Sequence, residues 1–142
     1  MPITFFINRD EKLMVSRYVG DIDDNSFILS YKTMLRSGKF ELGFDELVDM
    51  TKLKNFTITW EGVKGVQSLV DEKFANSTNT VRTAVVALEN LPFGLARMYE
   101  LYKEERLPEE IMVFRTMLEA LKWLKREHSL IQDVESWERV TT

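Results

Sequence analysis

The chain carries one histidine and no cysteine, and this alone removes most side-chain chemistry. Thiolate nucleophiles, disulfides, iron–sulfur clusters and the usual zinc sites all need residues that are missing. His128 lies among Lys125, Arg126 and Glu127 at the end of the last predicted helix, where a solvated helix-terminal role is expected rather than metal binding or base catalysis. No serine has a plausible triad partner except that lone histidine. The carboxylate pairs Asp23-Asp24 and Glu109-Glu110 fall at helix caps and loop ends, where charge is ordinary. Gly62 and Gly65 in "WEGVKG" sit inside the first turns of a helix rather than before it, without the lysine and hydroxyl of a phosphate loop, so close packing of that helix against a sheet is the expected reason for them. Arg97 and Arg115 could hold an anion, or pair with Asp49 or Glu119. No catalytic constellation, cofactor or metal site emerges.

The elements that would position these residues follow from hydrophobic patterning. With 142 residues, 44% hydrophobic and 30% charged, the chain suits one domain. Its 19 basic and 23 acidic residues give a net charge of −4, with no basic stripe for nucleic acid. No run approaches the length of a membrane span, and "MPITFFINRDEK" lacks the basic leader and cleavage site of a signal peptide, so a cytoplasmic protein is expected. Ile3, Phe5 and Ile7 alternate, and residues 13–19 place Leu13, Val15, Arg17 and Val19 opposite Met14, Ser16 and Tyr18, which predicts a hairpin. A helix follows, capped by Asp23 or Asp24, with Phe27, Ile28, Tyr31, Met34 and Leu35 inward and a stop at Ser37-Gly38.

"ELVDM", "TAVVAL" and "IMVF" then read as short buried parallel strands. Helices are predicted between them from Trp60, with Val63, Val66, Val70 and Phe74 on one face, and over residues 91–104; a last one opens on Thr116 and Glu119 in capping-box spacing with Leu118, Leu121 and Leu124 inward. The expected fold is α/β, in the order β-β-α-β-α-β-α-β-α, with a mixed sheet of about five strands and about four helices. The expected domain spans residues 1–127. Residues 128–142 form a tail whose Leu130, Ile131, Val134 and Trp137 recur at helical spacing, giving a short amphipathic helix with one sticky face.

The helix in "ENLPFGLARMYELYKEE" is apolar on more than one side: Leu95, Met98, Tyr99 and Tyr102 share a face, Phe93 and Leu101 another, and Arg97 lies between the latter two. One face covers the sheet; the other meets a neighbouring helix, a second copy in a homodimer, or an apolar ligand. In open α/β sheets ligands bind beyond the carboxyl ends of the strands, which gathers Asp49, Thr51, Asn90 and Arg115 with Trp60, Phe93 and Arg97 into one candidate region. A small amphiphile would sit near Phe93, Met98 and Tyr102.

"LVDM", "FGLARMYELY" and "VFRTMLEALKWL", with the order of elements, resemble the SpoIIAA-like (STAS-type) family of small bacterial cytosolic proteins over residues 3–125. The family is grouped by fold with anti-sigma-factor antagonists and CRAL-TRIO lipid-transfer domains. In the antagonists a serine at the start of the helix after the third strand is phosphorylated. The matching stretch here, "TKLKNFTITWEG", offers Thr51, Thr57 and Thr59 but no serine, and Glu61 would repel a phosphate. Thr59 reads instead as a helix N-cap. The resemblance implies a non-enzymatic protein-interaction or regulatory module without that switch. The alternative is a carrier or sensor of a small amphiphilic, lipid-like ligand. Expected partners are a second copy, another protein or that amphiphile, with Thr57, Thr59 and Trp60 on the lip of the loop after the third strand.

Overall fold

The computed structural model describes residues 2–41, 43–73, 81–88 and 110–141. β1 (Ile3–Asn8) and β2 (Leu13–Asp23) form the predicted hairpin, registered from Ile3 opposite Tyr18 to Asn8 opposite Leu13. The tight turn places Lys12 at φ 51°, while the Asn8 side chain accepts the Glu11 N–H. β2 runs four residues past its expected end and pairs in parallel with β3 (Asp45–Thr57).

β3 is the main departure from the sequence reading. Residues 51–57, expected to be a loop, continue the strand as far as Thr57 opposite Asp23. Between Arg17/Val19 and between Gly20/Asp21 the register slips, and each time β3 carries one extra residue. Gly20 takes the positive φ of 73° at the second slip. The bulges change the inward spacing from two to three, so Met50, Leu53 and Phe56 all reach the same core against Ile22 and Phe27. A strand with that spacing shows no alternation in its sequence.

Among the described residues the sheet has six strands in the order β5-β4-β3-β2-β1-β6, with β4 (Arg82–Val86) and β5 (Glu110–Phe114) parallel to β3 as expected; β4 is buried, but β5 is an edge strand that leaves Met112 and Val113 exposed, which corrects its expected burial. The sixth strand was not foreseen. Within the predicted tail, His128–Ser136 is a short 3-10 helix whose Leu130, Ile131 and Val134, with Trp137 just after it, pack on the sheet, and β6 (Glu138–Thr141) pairs antiparallel with β1. One sheet face is covered by α1 (Asp24–Arg36) and α2 (Trp60–Lys73) over Phe5, Met14, Tyr18, Val48 and Val85. The other is covered by α3 (Met117–Trp123) and the 3-10 helix over Phe6, Leu13, Val15, Leu47 and Val86. In α3, Ala120 and Leu121 are buried and Leu118 is exposed, which corrects the expected Leu118 stripe. Thr116 caps α3 as expected, its hydroxyl accepting the Glu119 N–H at 3.2 Å and donating to the Glu119 carboxylate at 3.0 Å. The helix expected over 91–104 lies outside the described residues.

Two polar arrangements tie the layers. Beneath α1 the Tyr31 hydroxyl donates to Glu46 Oε2 at 2.6 Å, Ser16 Oγ donates to the same oxygen at 2.5 Å, and the Tyr18 and Tyr31 hydroxyls lie 2.7 Å apart. At the far end of the sheet Arg126 Nη1 donates to Asp45 Oδ2 at 2.5 Å, and Nη2 to the carbonyls of Glu11 and Lys12, joining the end of α3 to the hairpin turn and the start of β3. The chain reaches that point through a Schellman turn: Arg126 N–H donates to the Leu121 carbonyl and Lys125 N–H to Lys122, with Lys125 at φ 63° where glycine is favoured.

Lys125→Gly is expected to stabilise the protein by about 0.5–1 kcal/mol, because relief of the left-handed penalty exceeds the added unfolded-state entropy; the urea midpoint measures it. Burial, followed by the nearby Glu46 charge, raises the Tyr31 phenol well above 10.0. Its folded pKa exceeds the unfolded value, so the stabilisation is complete below pH 10 and is lost as pH rises through the folded pKa. Tyr31→Phe should cost about 1–3 kcal/mol at pH 7 and flatten the loss of stability above pH 10, as read from denaturation across pH with phenolate absorbance as the second probe.

Candidate interaction surface

Because β3 matches β2 to its last residue, the two helices that follow these strands begin side by side. Asp23 caps α1, accepting the Ser26 N–H at 2.9 Å, and this backbone hydrogen bond lowers its pKa. The next residue caps the neighbour: the Asp24 carboxylate accepts the Thr59 N–H at 2.7 Å and, through its other oxygen, the Thr59 hydroxyl. Thr59 holds the α2 start in turn, its carbonyl accepting the Val63 N–H at 3.2 Å while its hydroxyl is a long 3.5 Å from the Gly62 N–H. One α1 carboxylate thus sits against the positive end of α2. The glycines of "WEGVKG" permit this approach. A Cβ on Gly62 would overlap Asp24 Oδ1, and one on Gly65 would stand 2.8 Å from Ile28 Cδ1. Both glycines serve close packing, but against α1 rather than the expected sheet.

The predicted site residues separate. Thr57 and Thr59 are exposed around this junction, and Trp60 is half-buried, packed against the helix-side core with Lys64 Nζ 5.6 Å from its ring centroid. Asp49 lies mid-strand, only 5% exposed; Oδ1 accepts from Thr51 N at 2.9 Å and Thr51 Oγ1 at 2.7 Å, and Oδ2 is 3.8 Å from Arg17 Nε. Its ionic neighbour among the described residues is therefore Arg17, on the adjacent strand. Arg115 is exposed between β5 and α3. Asn90, Phe93, Arg97, Met98 and Tyr102 lie outside the described residues. Arg17 was visible as a charge in an alternating apolar strand, but its hydrogen bond to Glu135, 118 positions away, leaves no trace in the sequence.

The carboxyl ends of β4 and β5 are closed by the Ala87 N–H donating to the Phe114 carbonyl at 2.9 Å. Flanking that closure, Leu88 is 55% exposed and Leu118 52% exposed, with Arg115 in the same connection. Among the described residues no three His, Cys, Asp or Glu side chains gather as a metal site, and no helix is long and apolar enough to cross a membrane.

No protein-family model and no curated protein matches the chain. Among solved structures it is similar to an uncharacterized DUF3478-family protein with a SpoIIAA-like fold from Shewanella loihica PV-4, with a TM-score of 0.54 and 15% identity over 86% of this chain and 91% of that one. It is also similar to the anti-sigma factor antagonist SpoIIAA in its unphosphorylated form, with a TM-score of 0.49 and 10% identity over 87% of this chain and 97% of that one. The chain has a SpoIIAA-like fold.

The Asp24–Gly62 contact gives a sign test. Gly62→Ala should destabilise the protein by about 1 kcal/mol, the displaced Asp24–Thr59 bonds outweighing the better helix propensity of alanine. In an Asp24→Ala background the same substitution should stabilise by up to about 1 kcal/mol. Urea unfolding of the four proteins in this cycle measures both.

Proposed function

We propose that this chain is a non-enzymatic, cytoplasmic protein-interaction or regulatory module that self-associates through the carboxyl end of its sheet, with no phosphate switch at the start of α2. The observation that carries the reading is the exposure of Leu88 after β4 and of Leu118 in α3, large apolar side chains following the strands' carboxyl ends, with Arg115 exposed between β5 and α3. Apolar groups beside an arginine suit the centre of a protein interface. Thr57, Thr59 and Trp60 form a second part of this surface, on the α2 side.

Support for the missing switch comes from the Thr59 hydroxyl, which is already committed to the Asp24 carboxylate. A phosphate there would meet Asp24 at once and Glu61 in the first turn of α2, and like charges repel. The fold is the contribution of the solved structures to this reading.

Sedimentation velocity tests it. A dimer is expected in the tens of micromolar, dissociating at least tenfold more readily in the Leu88→Asp, Leu118→Asp double variant. A strict monomer at all concentrations, unchanged by the double variant, would overturn self-association.

A further inference from the structure

We propose that the C-terminal segment is a releasable latch, closed by Glu135 and contested by Asp49, with Arg17 as the arm that passes between the two carboxylates. Arg17 Nη1 donates to Glu135 Oε1 at 2.6 Å, and Arg139 Nη2 lies 3.9 Å from the other Glu135 oxygen. The Arg17 hydrogen bond, then its charge, lowers the Glu135 pKa, with smaller help from Arg139 and Lys52. Arg17 Nε, by contrast, is buried without a hydrogen-bond partner. Asp49 Oδ2 is 3.8 Å away, an ion-pair separation too long for a hydrogen bond.

A buried guanidinium N–H beside an unconsumed carboxylate oxygen is an unstable compromise, since an unmade hydrogen bond in a buried site is costly. It persists here because reaching Glu135 draws the guanidinium off Asp49. Release of Glu135 would let Nε close on Asp49, so the open state gains a bond that the closed state lacks. Attraction to Asp49 therefore opposes the latch, and the transferred hydrogen bond offsets part of what opening costs in β1–β6 pairing and Val140 burial.

The latch governs a defined surface. Glu135 lies between Val134, buried in the second core, and β6, which covers the outer edge of β1 with Val140 as its one buried apolar side chain. Arg17 and Arg139 both stack over Phe6, with guanidinium carbons 4.9 and 5.2 Å from the ring centroid. Opening would uncover the β1 edge and Phe6 together, an extended backbone edge beside an aromatic anchor, suited to strand addition by an extended segment. The latch is intramolecular and holds whether or not the Leu88–Leu118 surface self-associates.

Amide hydrogen exchange on the full-length chain at neutral pH and low salt tests it. Glu135→Gln should speed exchange of the β6 amides about two- to fivefold, the range of an exposed ion pair, and Asp49→Asn should slow it about twofold, since asparagine keeps the oxygen that binds Thr51 but not the charge that competes for Arg17. β2 and β3 amides should stay unchanged in both. A static ion-pair cluster predicts the opposite for Asp49→Asn, so faster or unaltered β6 exchange in that variant would overturn the latch. Should Asp49→Asn disturb β2 and β3, the Arg17 side-chain Nε–H resonance of Glu135→Gln decides: a downfield shift with slowed exchange marks closure onto Asp49, and an unmoved resonance sinks the proposal.

Discussion

The parallel pairing of β2 with β3 is the constraint from which the rest of the structure hangs. Its register runs from Leu13 opposite Asp45 to Asp23 opposite Thr57, beyond the last β3–β4 pair at Asp49 and Val86. Because both strands end level, α1 and α2 start level, and Asp24 can serve the second helix from the first turn of the first. The inserted residues near Met50 and at Lys54 keep Leu53 and Phe56 on the helix side of the sheet, so the projecting ribbon stays anchored by apolar contacts. Without the bulges strict alternation would still turn Phe56 inward, but Leu53 would face the opposite side and the ribbon would lose that contact with the core.

What the sequence made legible was what one period could carry. The hairpin, the short parallel strands and the α1 stripe each obey a single spacing, and each forms where its pattern placed it, although β5 lies at the sheet edge with Met112 and Val113 exposed rather than buried. The second half of β3 obeys two, and the mixture reads as a loop. β6 fails for another reason: "ERVT" offers one inward apolar residue, Val140, and its strand identity comes from the β1 edge beside it rather than from its own propensity. For the site, the helix-capping acids were visible by type, but not that Asp24 caps the helix after the next strand. The glycines were correctly referred to packing and wrongly to the sheet, because helix-on-helix approach depends on where two distant strands end.

The charged residues show the same dependence on distant geometry. Arg17, Asp49 and Glu135 are each unremarkable in sequence, one in a strand, one at an apparent strand end, one in a tail. Brought together, they share one guanidinium between a buried carboxylate and an exposed one. Arg126 at the far end of the sheet shows the contrasting solution. Its Nη groups bond Asp45 and three backbone carbonyls, those of Leu124, Glu11 and Lys12, so that cation is locked where Arg17 is poised. With both terminal nitrogens bonded to fixed acceptors, Arg126 fastens elements; with its buried Nε donor unspent, Arg17 keeps an alternative open.

The two edges of the sheet are finished differently, and this bears on where association can occur. At one edge β6 is short and carries the exposed, paired charges Glu138 and Arg139. Such an edge resists further strand pairing. At the other edge β5 exposes Met112 and Val113, consecutive residues on opposite faces of the strand, and Leu118 of the following helix α3 is exposed as well. Those apolar groups have no charges of their own strand's centre to guard them, "IMV" following Glu110. Contact between copies therefore gains most on the β5 side, where burying Met112 and Val113 adds to Leu88 and Leu118, whereas at β6 it would first have to strip charges from solvent.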